Sequence, residues 1–170
     1  MKRIYSLLAG LLLSVGMLSA QSFENGTNVA SVNVGFGTYG VPVSLSYERG
    51  VYDINDAMSI GAGGIIGYGA ESESFLGGKM KTSNMLIGAQ GNYHYTGLDD
   101  LDLYAGLILG YNTASAKWDG KGSAPVAASD GAFLFGARAG ARYYFTENFG
   151  ANAEIGYGIG VLSVGVSYRF

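Results

Sequence analysis

Residues 101–112 read Leu-Asp-Leu-Tyr-Ala-Gly-Leu-Ile-Leu-Gly-Tyr-Asn. Leu101, Leu103, Ala105, Leu107, Leu109 and Tyr111 alternate with Asp102, Tyr104, Gly106, Gly110 and Asn112. Successive side chains of a β-strand point to opposite faces, so a period of two is a strand with one apolar and one small or polar face. The same period recurs on both sides of this stretch. Upstream lie Asn28–Phe36, Val43–Gly50, Met58–Tyr68 and Asn84–Tyr95; downstream lie Ala132–Phe145, Phe149–Tyr157 and Val161–Phe170. These eight segments each approach the ~9–11 residues that a tilted strand needs to cross a bilayer. An even number of strands leaves no edge unpaired, which hydrocarbon demands of backbone polar groups.

The polar set decides which face is outside. It is mostly glycine, serine and asparagine with a few charges, a composition suited to the lumen of a small barrel whose interior only side chains can fill. On the apolar set, Tyr93, Tyr95, Tyr143, Phe145, Phe149, Tyr168 and Phe170 collect at one end of the strands. Phe36, Tyr68, Tyr111, Phe133 and Tyr157 collect at the other. Two aromatic girdles around an aliphatic band match the two interfaces of a membrane. The expected architecture is all-β: an eight-stranded antiparallel up-and-down transmembrane β-barrel. Connections at Val51–Ala57, Thr96–Asp100 and Thr146–Asn148 are short and are assigned to the periplasm. Ala70–Ser83 and Thr113–Gly131 are expected to be the long outer loops.

The barrel is preceded by a different pattern. Lys2 and Arg3 lead into an apolar run from Ile4 to Leu18, and Ser19-Ala20 supplies small residues before Gln21. This is the signature of a cleaved secretory signal peptide over residues 1–20, leaving 21–170 as the barrel domain. The chain of 170 residues has no cysteine, which excludes a disulfide framework, a thiolate metal site and a cysteine nucleophile. Its 29 glycines follow no three-residue period, so it is not collagen. The net charge of −3 deepens to −5 once Lys2 and Arg3 leave with the signal peptide. That balance argues against nucleic acid as a partner, because neutralising phosphates takes a basic patch.

The chain ends Val166-Ser167-Tyr168-Arg169-Phe170, an alternating strand closed by an aromatic residue. Together with the signal peptide and the eight segments, this ending resembles the small OmpA/OmpX-type outer-membrane β-barrel family. The resemblance covers nearly all of the chain after residue 20. It implies residence in the bacterial outer membrane among its lipids and lipopolysaccharide, and assembly by the barrel assembly machinery. Tyr168 and Phe170 match the signal that this machinery reads. The family includes structural, adhesive and enzymatic barrels, so the resemblance fixes architecture rather than activity.

The polar face places Glu48, Gln90, Asn92, His94, Asp102, Arg138, Arg142, Glu154 and Arg169 in the lumen. Charges in a narrow, poorly hydrated interior are expected to pair. The plain reading is a side-chain plug that fixes strand register, with Arg138 and Glu154 pairing directly from neighbouring strands. A narrow porin-like channel for small solutes is the alternative. Enzymatic barrels that modify lipid A need a base beside a nucleophile at the outer leaflet. His94 lies near the inner end of its strand and faces the lumen, so no catalytic role is assigned. One histidine offers no ligand set for a metal. No cofactor is expected, since Gly61–Gly64 and Gly156–Gly160 lack the following helix of a nucleotide-binding loop. The outer loops carry the interaction candidates Phe75, Lys79, Lys117, Trp118 and Lys121 for an extracellular partner. Trp118, the one tryptophan, is also suited to the lipid–water interface.

Overall fold

A computed structural model describes residues 23–37, 40–75, 78–120, 129–158 and 160–170. The proposed signal peptide and Lys121 lie outside the described residues. The strands are β1 (Asn28–Phe36), β2 (Val43–Asn55), β3 (Met58–Phe75), β4 (Gly78–Leu98), β5 (Leu101–Gly120), β6 (Ser129–Tyr144), β7 (Phe149–Gly156) and β8 (Leu162–Arg169). Each pairs antiparallel with its sequence neighbours, and β1 closes on β8 to complete a barrel with the order β1 to β8. The closing ladder runs from Val29↔Arg169 to Phe36↔Leu162.

The apolar set faces outward. Leu109 is 61% exposed while its neighbour Ile108 is 3% exposed, and Ile87 is 58% exposed beside Leu86 at 3%. In water this surface would be an extreme apolar liability. In lipid it is the solvent-matched face, and both aromatic girdles sit on it: Tyr111 packs edge-on to Phe133 at one end, and Phe149 and Tyr168 meet at 4.8 Å at the other.

The expected long loops are largely strand. β3 and β4 stay in register to Phe75↔Gly78, and β4 and β5 to Gly78↔Gly120. β5 and β6 pair as far as Ser115↔Ser129. Ala70–Ser83 and the described parts of Thr113–Gly131 therefore form a sheet that rises roughly 20 Å past Tyr68. The apolar alternation stops where hydrocarbon stops, but backbone pairing does not need it. β1, β2, β7 and β8 end near the rim at Phe36, Val43, Gly156 and Leu162, so the raised wall covers only part of the mouth.

At the opposite end β2 runs on to Asn55 instead of stopping at Gly50, with register shifts at Gly50/Tyr52 and Asp53/Asn55. The bulges break the two-residue period there, which is why Val51–Ala57 reads as a turn in the sequence. β4 likewise continues to Leu98, and the reversal falls on Asp99-Asp100, with Asp100 at φ 59°. Aspartate tolerates this left-handed conformation because its short carboxylate bonds locally.

Candidate functional site

The lumen is built in layers. At its centre of charge, β2, β4, β5 and β6 each contribute one side chain to a closed ring. Arg142 Nη2 donates to Glu48 Oε2 at 2.7 Å, and Arg142 Nη1 donates to Asp102 Oδ2 at 3.0 Å. His94 completes the circuit, with Nε2 2.9 Å from Glu48 Oε1 and Nδ1 2.8 Å from Asp102 Oδ1. A protonated imidazole would donate through both nitrogens, so the ring is built to alternate two cations with two anions. His94 is 0% exposed. Both of its nitrogens are occupied by carboxylates, which leaves no free base.

Asn92 joins this ring to a second cluster. Its Nδ2 donates to Glu48 Oε1 at 2.5 Å, while its Oδ1 lies 3.4 Å from both Nε and Nη2 of Arg138. Arg138 Nη1 is 3.3 Å from Glu154 Oε1, and the Tyr104 hydroxyl donates to the same oxygen at 2.6 Å. The Arg142 guanidinium lies 4.3 Å above the Tyr104 ring. Glycines on adjoining strands make this crowding feasible. A Cβ at Gly61 would collide with the Glu48 carboxylate, and one at Gly106 with the Asn92 amide and the Gly91 carbonyl.

Gln90 and Arg169 stand apart from these clusters. The Gln90 amide nitrogen reaches the Tyr47 carbonyl at 3.5 Å. Arg169 Nη2 donates to the Glu147 carbonyl at 2.6 Å near the termini, and its guanidinium lies 4.1 Å over Tyr144. A further polar ladder ties the closing strands: Asn152 Nδ2 donates to Asn33 Oδ1 at 2.6 Å, and Ser31 and Ser167 hydroxyls lie 2.8 Å apart.

Besides Tyr104 and the Asn33–Asn152 and Ser31–Ser167 pairs, two further parts of the filling are not among the sequence candidates. Phe23, ahead of β1, enters the lumen from below and stacks on His94 at 3.9 Å; its carbonyl accepts from the Ser59 hydroxyl at 2.7 Å. Above the ring, Ile65, Leu86 and Ile108 form a buried apolar layer in a face expected to be polar. The signal for this layer was present. Each lies in an uninterrupted apolar run (Ile65-Ile66, Met85-Leu86-Ile87, Leu107-Ile108-Leu109) where strict alternation calls for a small or polar residue. Space beside Ile65, Ile108, Arg138 and Glu154 amounts to about 20 Å³, and beside Leu86 and Asn84 to about 10 Å³. A single water needs ~10–15 Å³, so neither is a path for a solute.

The raised sheet separates the surface candidates. Directly paired residues share a face. Ser72, Lys81 and Lys117 form one row, and Ser74, Lys79 and Asp119 the next, on the lipid side. Lys81 Nζ is 2.8 Å from Asp119 Oδ2. This hydrogen bond, with the charge of the same ammonium, holds the exposed Asp119 carboxyl below the usual range. Trp118 is on the other face, paired with Met80. It stands seven residues beyond the girdle residue Tyr111 and points to the lumen side, so it is not at the lipid–water interface. Phe75 pairs with Gly78 at the tip; its side chain lies outside the described residues.

No protein-family model matches the sequence, and no curated protein matches it. Solved structures do match. A major outer-membrane protein from Thermus thermophilus aligns at 13% identity over 85% of this chain and 99% of its own, with a TM-score of 0.59. The N-terminal β-barrel domain of Pseudomonas aeruginosa OprF aligns at 16% identity over 86% and 98%, with a TM-score of 0.54. This chain has the fold of the small outer-membrane β-barrels. The attachment invasion locus protein Ail of Yersinia pestis, crystallised with the heparin analogue sucrose octasulfate, shares that fold at 15% identity over 88% and 100%, with a TM-score of 0.53. The outward apolar band and its two aromatic girdles agree with that fold.

Proposed function

We propose that this protein is a sealed outer-membrane anchor that holds a β-sheet above the membrane surface, with a structural and surface-interaction role. The observation that carries this reading is the filled lumen: the Glu48–His94–Asp102–Arg142 ring, the Phe23 plug below it and the Ile65–Leu86–Ile108 layer above it. A barrel closed at three levels has little to offer a solute. What varies from a minimal barrel is the raised sheet.

The lipid-side face of that sheet is the first place for a partner. Lys79, Lys81 and Lys117 gather there with a single acidic residue, Asp119, among their paired neighbours. Lys81 and Lys117 are directly paired, an arrangement that costs stability and that the single carboxylate of Asp119, bonded to Lys81, offsets only in part. We assign this face to phosphate or sulfate groups, of which lipopolysaccharide is the nearest source. Ail's complex with a sulfated sugar supports such a use for this fold. Cleavage after Ala20, and recognition of Tyr168 and Phe170 by the assembly machinery, belong to the same reading.

The test is a pair of assays on the reconstituted protein. Planar bilayers should show no discrete, reproducible conductance steps. Binding to vesicles containing lipopolysaccharide should weaken when Lys79, Lys81 and Lys117 are changed together to glutamine. Regular conductance steps would make it a channel instead. Unaltered binding by the triple variant would remove the basic face from the account.

A further inference from the structure

The two faces of the raised sheet differ in charge, and the lumen-side face carries its own constellation. Register places Glu73, Met80 and Trp118 in one cross-strand row, and Glu71, Thr82 and Ala116 in the next. The Trp118 indole lies over glycine. A Cβ at Gly120 would come within 3.0 Å of ring atoms Cε2 and Cζ2, and a Cβ at Gly78 would fall inside the ring's contact distance. The ring therefore lies close over the Gly78 and Gly120 backbone, where neither glycine puts a side chain. Among the described residues, neither Glu71 nor Glu73 is in an ion pair. The lysines of this sheet lie on the opposite face. Strands β1, β2, β7 and β8 end near the rim, below the Glu73–Met80–Trp118 row; Gly40, between β1 and β2, lies against Ala70 and Glu71.

We propose that this lumen-side face is a docking surface for an extended, lysine- or arginine-bearing segment of another polypeptide. Charge and spacing both favour that occupant. Glu71 and Glu73 are two residues apart on one strand, roughly 7 Å, which is also the repeat of alternate side chains along an extended chain. A bound segment can set successive cations against both carboxylates. The Trp118 ring attracts a third cation through its quadrupole, and Met80 beside it provides apolar contact for the side-chain stem. A second copy of this chain is a poor occupant through the same edge, since it would set Glu71 and Glu73 against their own kind. The proposal rests on the sheet standing outside the membrane, but not on the anion-binding role of the other face.

Trp118 is the only tryptophan, so the full-length barrel in zwitterionic nanodiscs reports directly on this site. A peptide of alternating lysine and alanine is titrated while Trp118 emission is read. The expected result is a saturable change in emission. Glu71→Gln with Glu73→Gln should weaken binding roughly tenfold, as expected for two exposed charge contacts. Lys79→Gln, Lys81→Gln and Lys117→Gln together should not weaken it. The anisotropy of a labelled peptide should show a comparable loss with Trp118→Ala, whose heat-dependent gel mobility should match the parent. Three outcomes overturn the proposal: no saturable response, a response that survives the double glutamine variant, or an equal response to spermidine at matched charge. Failure of lipopolysaccharide binding alone would strike the basic face and leave this one standing.

Discussion

Replacing Arg142 with methionine tests whether the lumen ring holds the barrel together. The substitution keeps much of the volume and removes two hydrogen bonds of 2.7 and 3.0 Å to buried carboxylates. Hydrogen bonds to charged groups are worth about 1.5–3 kcal/mol each. Removing one partner of a buried ion pair costs about 3–5 kcal/mol, because the other charge is left uncompensated. Here two carboxylates, Glu48 and Asp102, are left with His94 as their remaining ring partner. The expected loss is therefore about 4 kcal/mol, read as a shift in the urea midpoint of the vesicle-inserted protein followed by circular dichroism. Adding Glu48→Gln and Asp102→Asn to Arg142→Met removes the stranded charges and should restore more than half of the loss. A cost below about 1 kcal/mol for the single variant, the size of an exposed salt bridge, would refute the ring as a structural element. So would a triple variant less stable than the single one.

Leu109→Arg sets a charge on the lipid face and should destabilise insertion by about 2–4 kcal/mol, measured by the same urea titration. Phe23→Ala should cost about 3 kcal/mol as the cavity beneath His94 opens, and the imidazole protons should lose the Phe23 part of their ring-current shift in the NMR spectrum, the part from Tyr104 remaining. Gly106→Val forces a side chain into Asn92 and the Gly91 carbonyl; overpacking of about 1–3 kcal/mol should lower the temperature of the gel-mobility transition. An NMR titration should find the Asp119 carboxyl ionising below its ordinary pH, and Lys81→Ala should bring it most of the way back, the Lys79 charge remaining.

The sequence was most informative where lipid imposes its own rule. Leu103, Leu107 and Leu109 could be assigned outward because a bilayer punishes every polar residue on that face. The lumen was only half legible. Glu48, His94, Asp102 and Arg142 announced themselves as buried charges, but their closure into a ring depends on strand tilt and register, which alternation does not encode. Ile108 shows a second limit. Lumen positions tolerate apolar residues as readily as small polar ones, so period two loses contrast there even though the strand continues. Phe23 was hidden because it precedes β1, where no period exists. Beyond the apolar band, Ser72, Glu73 and Lys81 keep pairing with polar residues on both faces, so the raised sheet read as loop.

The central claim, an inside-out barrel, turns on neighbours such as Ile108 and Leu109. In nanodiscs doped with a lipid whose acyl chain carries a spin label at mid-bilayer, methyl NMR signals near the label broaden. Broadening should be strongest at Leu45, Ile87, Leu109 and Ile155, and clearly weaker at Ile65, Leu86 and Ile108. Broadening at Ile65, Leu86 and Ile108, with Leu109 and Ile87 spared, would mean that the two faces are reversed and would contradict the claim.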